Sequence, residues 1–262
     1  MIDLHSHILH GLDDGAQSLE ESVGIARAAV ADGITAIAAT PHVRDDWPTD
    51  AGVMEYRVAE LRHELEEQRI PLDVRPGGEI ALEWLEKLSA EELRRFGLGG
   101  NPRYLLVEMP YYGWPLALPD LLLALIADGI TPVLAHPERN ADVQADPARL
   151  QPLVSSGVLV QVTAASIDGR IGRPARQCAR LLIDSGLVHL LASDAHHPSV
   201  RAIGMDTAAA AVGSEPLATW LTLGVPAAIL DDTELPPRPL GGGRSTGWLA
   251  RLLGSTGSRS AP

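Results

Sequence analysis

Apolar residues in this chain come in short runs that alternate with amphipathic stretches of helical length, and most runs end on His, Asp or Glu. From Ile2 to His7 a strand period of two sets Asp3, His5 and His7 on one face and Ile2, Leu4 and Ser6 on the other. Ser18-Leu-Glu-Glu21 has the spacing of a capping box, so a helix is predicted from there to Asp32, ended by Gly33 in the left-handed conformation. Ile34 to Thr40 reads as a buried strand leading to Pro41 and His42. A charged amphipathic helix around Val53 to Gln68 precedes Leu72 to Val74 and Pro76-Gly-Gly-Glu-Ile80, read together as one strand that Glu79 ends. Ser89-Ala-Glu-Glu92 opens another helix that Gly97 stops, and Tyr104 to Val107 leads to Glu108. Leu118 to Asp128 is helical up to Gly129, and Ile130 to Ala135 leads to His136.

In the last third, Asp146 is an expected N-cap, and Pro147 at the first helical position opens a helix reaching Ser156. Val158 to Val162 is a strand ending in Thr163; Arg173 to Ser185 is helical; Val188 to Ser193 leads into Asp194 and His196. Ala-Asp-Gly-Ile-Thr occurs twice, at residues 31 to 35 and 127 to 131, each time joining a helix to a strand. About seven strands alternating with helices imply right-handed crossovers, a mainly parallel sheet and a closed barrel with its functional residues at the C-terminal strand ends. The expected domain is 1 to 235. From Pro236 the composition turns to Pro, Gly, Ser and Arg, and 236 to 262 reads as a disordered tail.

Composition narrows the function classes. The chain has 262 residues, 45% hydrophobic and 21% charged, enough for one full globular core. Its formal charge of -13 argues against nucleic acid, which needs a basic surface. Cys178 is the single cysteine, which excludes a disulfide framework and a thiolate zinc site, and Asp184 stands where a cysteine phosphatase needs its arginine. No signal-like start is present, and the longest purely apolar run, Leu121 to Ala127, is too short to span a bilayer. A reducing cytoplasm is expected.

The strand-end residues His5, His7, Asp14, His42, Glu79, Glu108, His136, Asp194 and His196 form the candidate metal-ligand set. They are hard or borderline ligands, more than one tetrahedral zinc needs, and suit two or three divalent ions bridged by carboxylates. Such a centre can supply a bridging hydroxide and stabilise the attacking and leaving groups of a displacement at phosphorus. His10 and His63 read as solvated, and His189 faces away from Asp194 by strand parity.

Several words carry a resemblance: Met1-Ile-Asp-Leu-His-Ser-His-Ile8, Asp13-Asp-Gly15, Ala39-Thr-Pro-His42, Gly78-Glu-Ile80, Val107-Glu108, Ala135-His-Pro-Glu-Arg139 and Ala192-Ser-Asp-Ala-His196. In this order they resemble the polymerase and histidinol phosphatase (PHP) superfamily, and within it the bacterial manganese-dependent protein-tyrosine phosphatases of capsule and exopolysaccharide systems. The resemblance implies a distorted (β/α)7 barrel of the PHP type and three divalent metal ions, manganese foremost, with zinc or iron compatible. The first ion takes His5, His7, Glu79 and Asp194; the second shares Glu79 and adds Glu108 and His136; the third takes Asp14, His42 and His196. Arg139 and Arg201 match the arginines that bind substrate phosphate, and a metal-bridging hydroxide is the implied nucleophile. The implied substrate is phosphotyrosine on a bacterial tyrosine kinase tail. Two alternatives are a histidinol-phosphate phosphatase or other PHP phosphoesterase, and a non-catalytic binding module of a polysaccharide-assembly complex. Val43 stands where relatives often carry a second histidine. The aromatics of Met109 to Trp114 follow Glu108 and are expected at the rim of the site, as a wall for an aryl group or as loop packing.

Overall fold

A computed structural model of the chain describes residues 1–199 and 201–239. Its strands are β1 (Ile2–Ser6), β2 (Ala36–Ala39), β3 (His42–Arg44), β4 (Trp47–Pro48), β5 (Asp73–Arg75), β6 (Glu79–Ala81), β7 (Tyr104–Glu108), β8 (Thr131–Ala135), β9 (Leu159–Thr163) and β10 (Leu190–Ala192). The helices that position the site are α1 (Leu19–Ala31), α2 (Ala51–Glu67), α3 (Ala90–Arg95), α4 (Leu118–Ala127), α5 (Ala141–Ala145), α6 (Gln151–Ser155), α7 (Ala164–Asp168), α8 (Arg173–Asp184) and α9 (Met205–Ala211). Among the described residues no helix is long and apolar enough to cross a membrane.

The strands form a sheet in the order β1-β2-β5 and a larger one in the order β10-β9-β8-β7-β6-β3-β4, parallel throughout except for the β3–β4 pair. Two prolines divide them. Pro41 separates β2 from β3 and Pro76 separates β5 from β6, because a proline has no N–H to give to the ladder. At both breaks the chain passes from the first sheet to the second, so β2 pairs β5 before them and β3 pairs β6 after them. The single strand expected from Leu72 to Glu79 is therefore two. Gly78 lets this crossing pass the core, since a Cβ there would lie 2.6 Å from the ring of Phe96.

The far end of the larger sheet returns to β1. Ser6 bridges Ala195, His7 N–H donates to the Ala195 carbonyl at 2.8 Å, and Asp194 N–H donates to the His5 carbonyl at 2.8 Å. The strands thus run round a distorted barrel, joined at β1 by these contacts and not by a full ladder. Its core is a continuous apolar cluster that includes Leu4, Ile37, Ile80, Phe96, Leu106 and Leu134, all buried.

Both Ala-Asp-Gly-Ile-Thr copies do the same work. Gly33 (φ 83) and Gly129 (φ 77) are left-handed, and the following Ile34 and Ile130 donate back to Ala29 and Leu125 at 2.9 Å, which closes each helix and aims the next strand. The Ser89–Glu92 capping box is complete. At α1 it is shifted: Ser18 accepts from Glu21 N, but the Glu21 carboxylate takes Gln17 N instead of Ser18 N. The helix expected from Pro147 to Ser156 is broken, with a 3-10 turn over Pro147–Leu150 before α6, because Pro152 cannot continue the bonding and Asp146 makes no side-chain cap. Beyond the barrel, Trp220 donates to the Pro236 carbonyl, and Arg238 donates to the Ile183 and Val188 carbonyls, each at 2.8 Å. The remainder of the expected tail, 240–262, lies outside the described residues.

Candidate metal centre

The residues singled out in the sequence meet at one end of the barrel. His5 and His7 leave β1 with their Nε2 atoms 3.3 Å apart. Both Nε2 atoms lie 3.3 Å from Glu79 Oε2, and they lie 3.5 and 3.3 Å from Asp194 Oδ1. His136 Nε2 is 2.8 Å from the other Glu79 oxygen. His42 places Nδ1 2.9 Å from Glu79 Oε2 and 3.7 Å from Glu108 Oε2, and its Nε2 3.5 Å from Asp14. His196 Nε2 is 3.3 Å from the same Asp14 oxygen. Glu79 is thus the hub.

Four groups have ligand atoms close enough to share an ion: His5, His7 and Asp194; His5, Glu79 and His136; His42, Glu79 and Glu108; and His7, Asp14, His42 and His196. All of these side chains are buried except that of Asp14. His7 reaches two groups, and Glu108 is grouped with His42, a pairing that the residue-by-residue resemblance does not give.

The donor set fits divalent metal ions, and the orphaned atoms say so. Glu79 Oε2, His42 Nδ1 and His196 Nε2 are buried, and although other ligand atoms crowd within 2.9 to 3.3 Å of them, among the described residues none of these contacts has hydrogen-bond geometry, a costly arrangement in an interior unless something else engages them. The imidazoles are also oriented for ligation. His5 Nδ1 is 3.0 Å from Gln161 Oε1, which also accepts from His136 N at 3.2 Å; an atom that takes a backbone N–H is an acceptor. The His5 proton therefore sits on Nδ1 and the Nε2 lone pair faces the centre. Asp13 does the same for His7, accepting from Nδ1 at 2.7 Å, and it also accepts from His42 N at 2.9 Å and Gly15 N at 2.9 Å. His196 Nδ1 donates to the Asp194 carbonyl at 2.9 Å.

Charge follows the same layout. Burial opposes ionisation of Glu79, but His5, His42 and His136 outweigh it and hold the carboxyl well below the usual range. Asp194 is held well below its range in the same way, with His5 and His7 overcoming burial. Burial pushes Glu108 up to about 7, with the Glu79 charge adding to it, and pushes His136 down to about 4. Backbone strain is concentrated here. Of the non-glycine residues with positive φ among the described residues, Arg69, His136, Asp194, Arg201 and Asp232, three are candidate site residues.

Arg139 and Arg201 both reach the centre's edge. Arg139 Nη1 is 2.6 Å from Asp194 Oδ2, and its guanidinium lies 4.7 Å from the centroid of the Tyr111 ring. Arg201 bonds Asp194 Oδ2 and Asp14 Oδ2, each at 3.3 Å. Tyr111 is half-buried with its ring 5.9 Å from that of His136, whereas Tyr112 and Leu116 are 84% and 90% exposed, so that loop divides between a ring set against the centre and an open apolar edge. Arg44 adds a cation 3.4 Å from Glu108.

The ligand list omitted Asp13 and Gln161. Gln161 did carry a signal, a polar side chain inside the apolar run from Val158 to Val162, which when buried must be bonded to something. Asp13 carried none that separates it from Asp14. Outside the centre, Cys178 is buried with its thiol pushed up to about 12, and His189 packs on Trp220, in line with structural roles.

Known proteins resemble this chain over most of its length. It is 35% identical over 204 residues to the tyrosine-protein phosphatase YwqE of Bacillus subtilis, covering 77% of this chain and 79% of that protein. It is 33% identical over 199 residues to a putative tyrosine-protein phosphatase, CapC, of Staphylococcus aureus, covering 75% and 77%. A solved structure from work on YwqE of Bacillus subtilis and CpsB of Streptococcus pneumoniae, described as unique metal-dependent tyrosine phosphatases, superposes with a TM-score of 0.81 at 32% identity, over 92% of this chain and 100% of that one. The resemblance read from the motif words is borne out. With residues 1–217 matching the capsular polysaccharide synthesis family CpsB/CapC, this chain belongs to that family.

Proposed function

We propose that this chain is a metal-dependent protein-tyrosine phosphatase, acting in the cytoplasm on a bacterial tyrosine kinase that controls capsule or exopolysaccharide assembly. The observation that carries the reading is the convergence of five imidazoles and four carboxylates, His5, His7, His42, His136, His196, Asp14, Glu79, Glu108 and Asp194, on one spot edged by two arginines. Three divalent ions, manganese foremost, supply Lewis-acid charge and activate water when bound there. His5, His7, Glu79 and Asp194 hold the first; Glu79, Glu108 and His136 the second; Asp14, His42 and His196 the third.

The chain's own groups do the rest. Asp13 and Gln161 keep the ligating imidazoles in one tautomer. Arg139 and Arg201, each anchored on Asp194, turn their remaining N–H groups to the phosphate oxygens, where a planar guanidinium fits two oxygens at once. Tyr111 and the exposed Tyr112 offer aromatic surface beside the phosphate for a tyrosyl ring. A tyrosinate leaving group has a pKa of roughly 10, so it departs with little help from a general acid.

The test compares manganese-loaded protein on a phosphotyrosine peptide, histidinol phosphate and a phosphodiester, with His136→Ala as control. The peptide should be turned over fastest. Turnover no better than the control on every substrate overturns the enzyme, and a faster diester or histidinol phosphate overturns the tyrosine reading. Metal analysis of protein prepared without chelator should count close to three ions per chain; a count of one overturns the trinuclear assignment.

A further inference from the structure

A second feature on the same end of the barrel is basic, in a chain whose net charge is -13. A cavity of about 550 Å³ opens between α7 and α8, lined by Asp168, Gly169, Arg173, Arg176, Gln177 and Arg180 among others. Arg173, Arg176 and Arg180 fall at i, i+3 and i+7, so they share one helix face, and all are exposed. Their charges are not neutralised. Arg180 donates to the Ala211 and Val212 carbonyls at 2.9 and 3.2 Å, and among the described residues the guanidinium groups of Arg173 and Arg176 have no hydrogen-bond or ion-pair partner. The carboxylate lining the cavity, Asp168, is already held by Arg170, whose Nε lies 2.7 Å away. Three cations on one face repel one another unless an anion lies between them.

The cavity is tied to the metal centre by the segments that form its wall. α7 leaves the C-terminal end of β9 directly, and its inner side bonds Glu138 through Ser166 Oγ at 2.5 Å, next to Arg139 in sequence. Its last turn and the residues after it face the cavity. Arg170 then donates to the Ala202 and Ile203 carbonyls at 2.9 and 3.2 Å, fixing the segment that follows Arg201.

We propose that the Arg173–Arg176–Arg180 groove is a docking site for a polyanionic stretch of the phosphotyrosyl substrate, engaged while the reacting phosphotyrosine occupies the metal centre. The proposal rests on the phosphatase reading for its substrate, but the groove's binding chemistry does not need turnover. Guanidinium forks suit carboxylate and phosphate oxygens alike, so the stretch is recognised by clustered negative charge.

The experiment uses three phosphotyrosine peptides: neutral flanks, a glutamate-rich flank, and a second phosphotyrosine in the flank. Each is assayed with the full-length chain and with the R173S/R176S variant, alongside p-nitrophenyl phosphate. The native chain should show a kcat/KM about tenfold higher for the anionic peptides, carried by KM and reduced by salt, and the variant should lose that preference. Its kcat and its turnover of p-nitrophenyl phosphate should not change. Comparing the two anionic peptides tells carboxylate from phosphate as the preferred anion. A variant that keeps the preference, or one that slows every substrate equally, overturns the groove. Fluorescence anisotropy of an unphosphorylated glutamate-rich peptide with metal-free protein keeps the two readings apart. If no peptide is hydrolysed, the phosphatase reading fails, while salt-sensitive binding lost in R173S/R176S still supports the groove and equal binding by both proteins overturns it.

Discussion

Asp13→Asn tests whether the centre depends on the groups that orient its ligands. Asp13 is buried and uses both oxygens: Oδ2 accepts from His7 Nδ1 at 2.7 Å and His42 N at 2.9 Å, and Oδ1 accepts from Gly15 N at 2.9 Å. Asparagine keeps the shape but replaces one oxygen with an NH2 that only donates. If the NH2 takes the Oδ2 place, it opposes the His42 N–H and forces His7 to put its proton on Nε2, where the lone pair is needed. If it takes the Oδ1 place, it opposes the Gly15 N–H. Neither orientation satisfies all three partners. Losing a charge-assisted bond of this kind costs about 1.5–3 kcal/mol, and loss of a ligand-orienting carboxylate typically lowers metal affinity or activity by about 10–100-fold. Calorimetric titration of manganese into metal-free Asp13→Asn should show that weakening, with a matching fall in kcat/KM on p-nitrophenyl phosphate and an unchanged far-UV circular dichroism spectrum. Native affinity and native turnover in the variant would refute the reasoning.

Three further outcomes follow from named contacts. Arg139→Lys keeps the charge near Asp194 but loses the planar fork and the Tyr111 stacking, so kcat/KM on a phosphotyrosine peptide should fall by about 10–100-fold; a change under threefold would remove Arg139 from the phosphate. Gly15→Ala puts a Cβ 2.2 Å from the His7 carbonyl oxygen and 2.5 Å from its Cβ, both fixed atoms, so melting of metal-free protein should drop by at least the ~1–3 kcal/mol of an overpacked site. An unchanged melting temperature would show that the loop gives way freely. His189 supplies a pH dependence. Burial, helped by Arg238, pushes its pKa from 6.5 down to about 4, and its Nδ1 accepts from Val160 N. The unfolded chain therefore takes up this proton below pH 6.5 and the folded chain only below about 4, so stability is lost as pH falls through that window, by up to ~3 kcal/mol. Urea unfolding of metal-free protein at pH 7 and pH 5 should show a smaller loss for His189→Asn than for the native chain; equal losses would rule the residue out.

Much of this protein was legible in the order of its residues. Gly33 and Gly129 end their helices as read, because only a residue without Cβ takes φ near 80° cheaply and the following isoleucine then starts the strand. The candidate ligand words were legible for a related reason: side chains that can bind a metal are few in kind, and in a parallel α/β fold functional groups collect at strand ends. What was misread lay where two elements meet. Pro76 looked like a pause within one strand, yet it marks where the chain changes sheets, and that change is fixed by the pairing of β3 with β6 and by Gly78 against Phe96.

The sequence by itself determined the alternation of elements, the barrel class, the family and the set of side chains available to a metal, since these depend on local periodicity and on residue chemistry. Only the tertiary structure decided which ligand faces which, that Glu79 is the hub, and that Asp13 and Gln161 hold His7 and His5. Gln161 stands 156 residues from His5, and Arg201 stands 187 residues from Asp14. Contacts of that separation follow from how strands are ordered round the barrel, and no local pattern encodes that order.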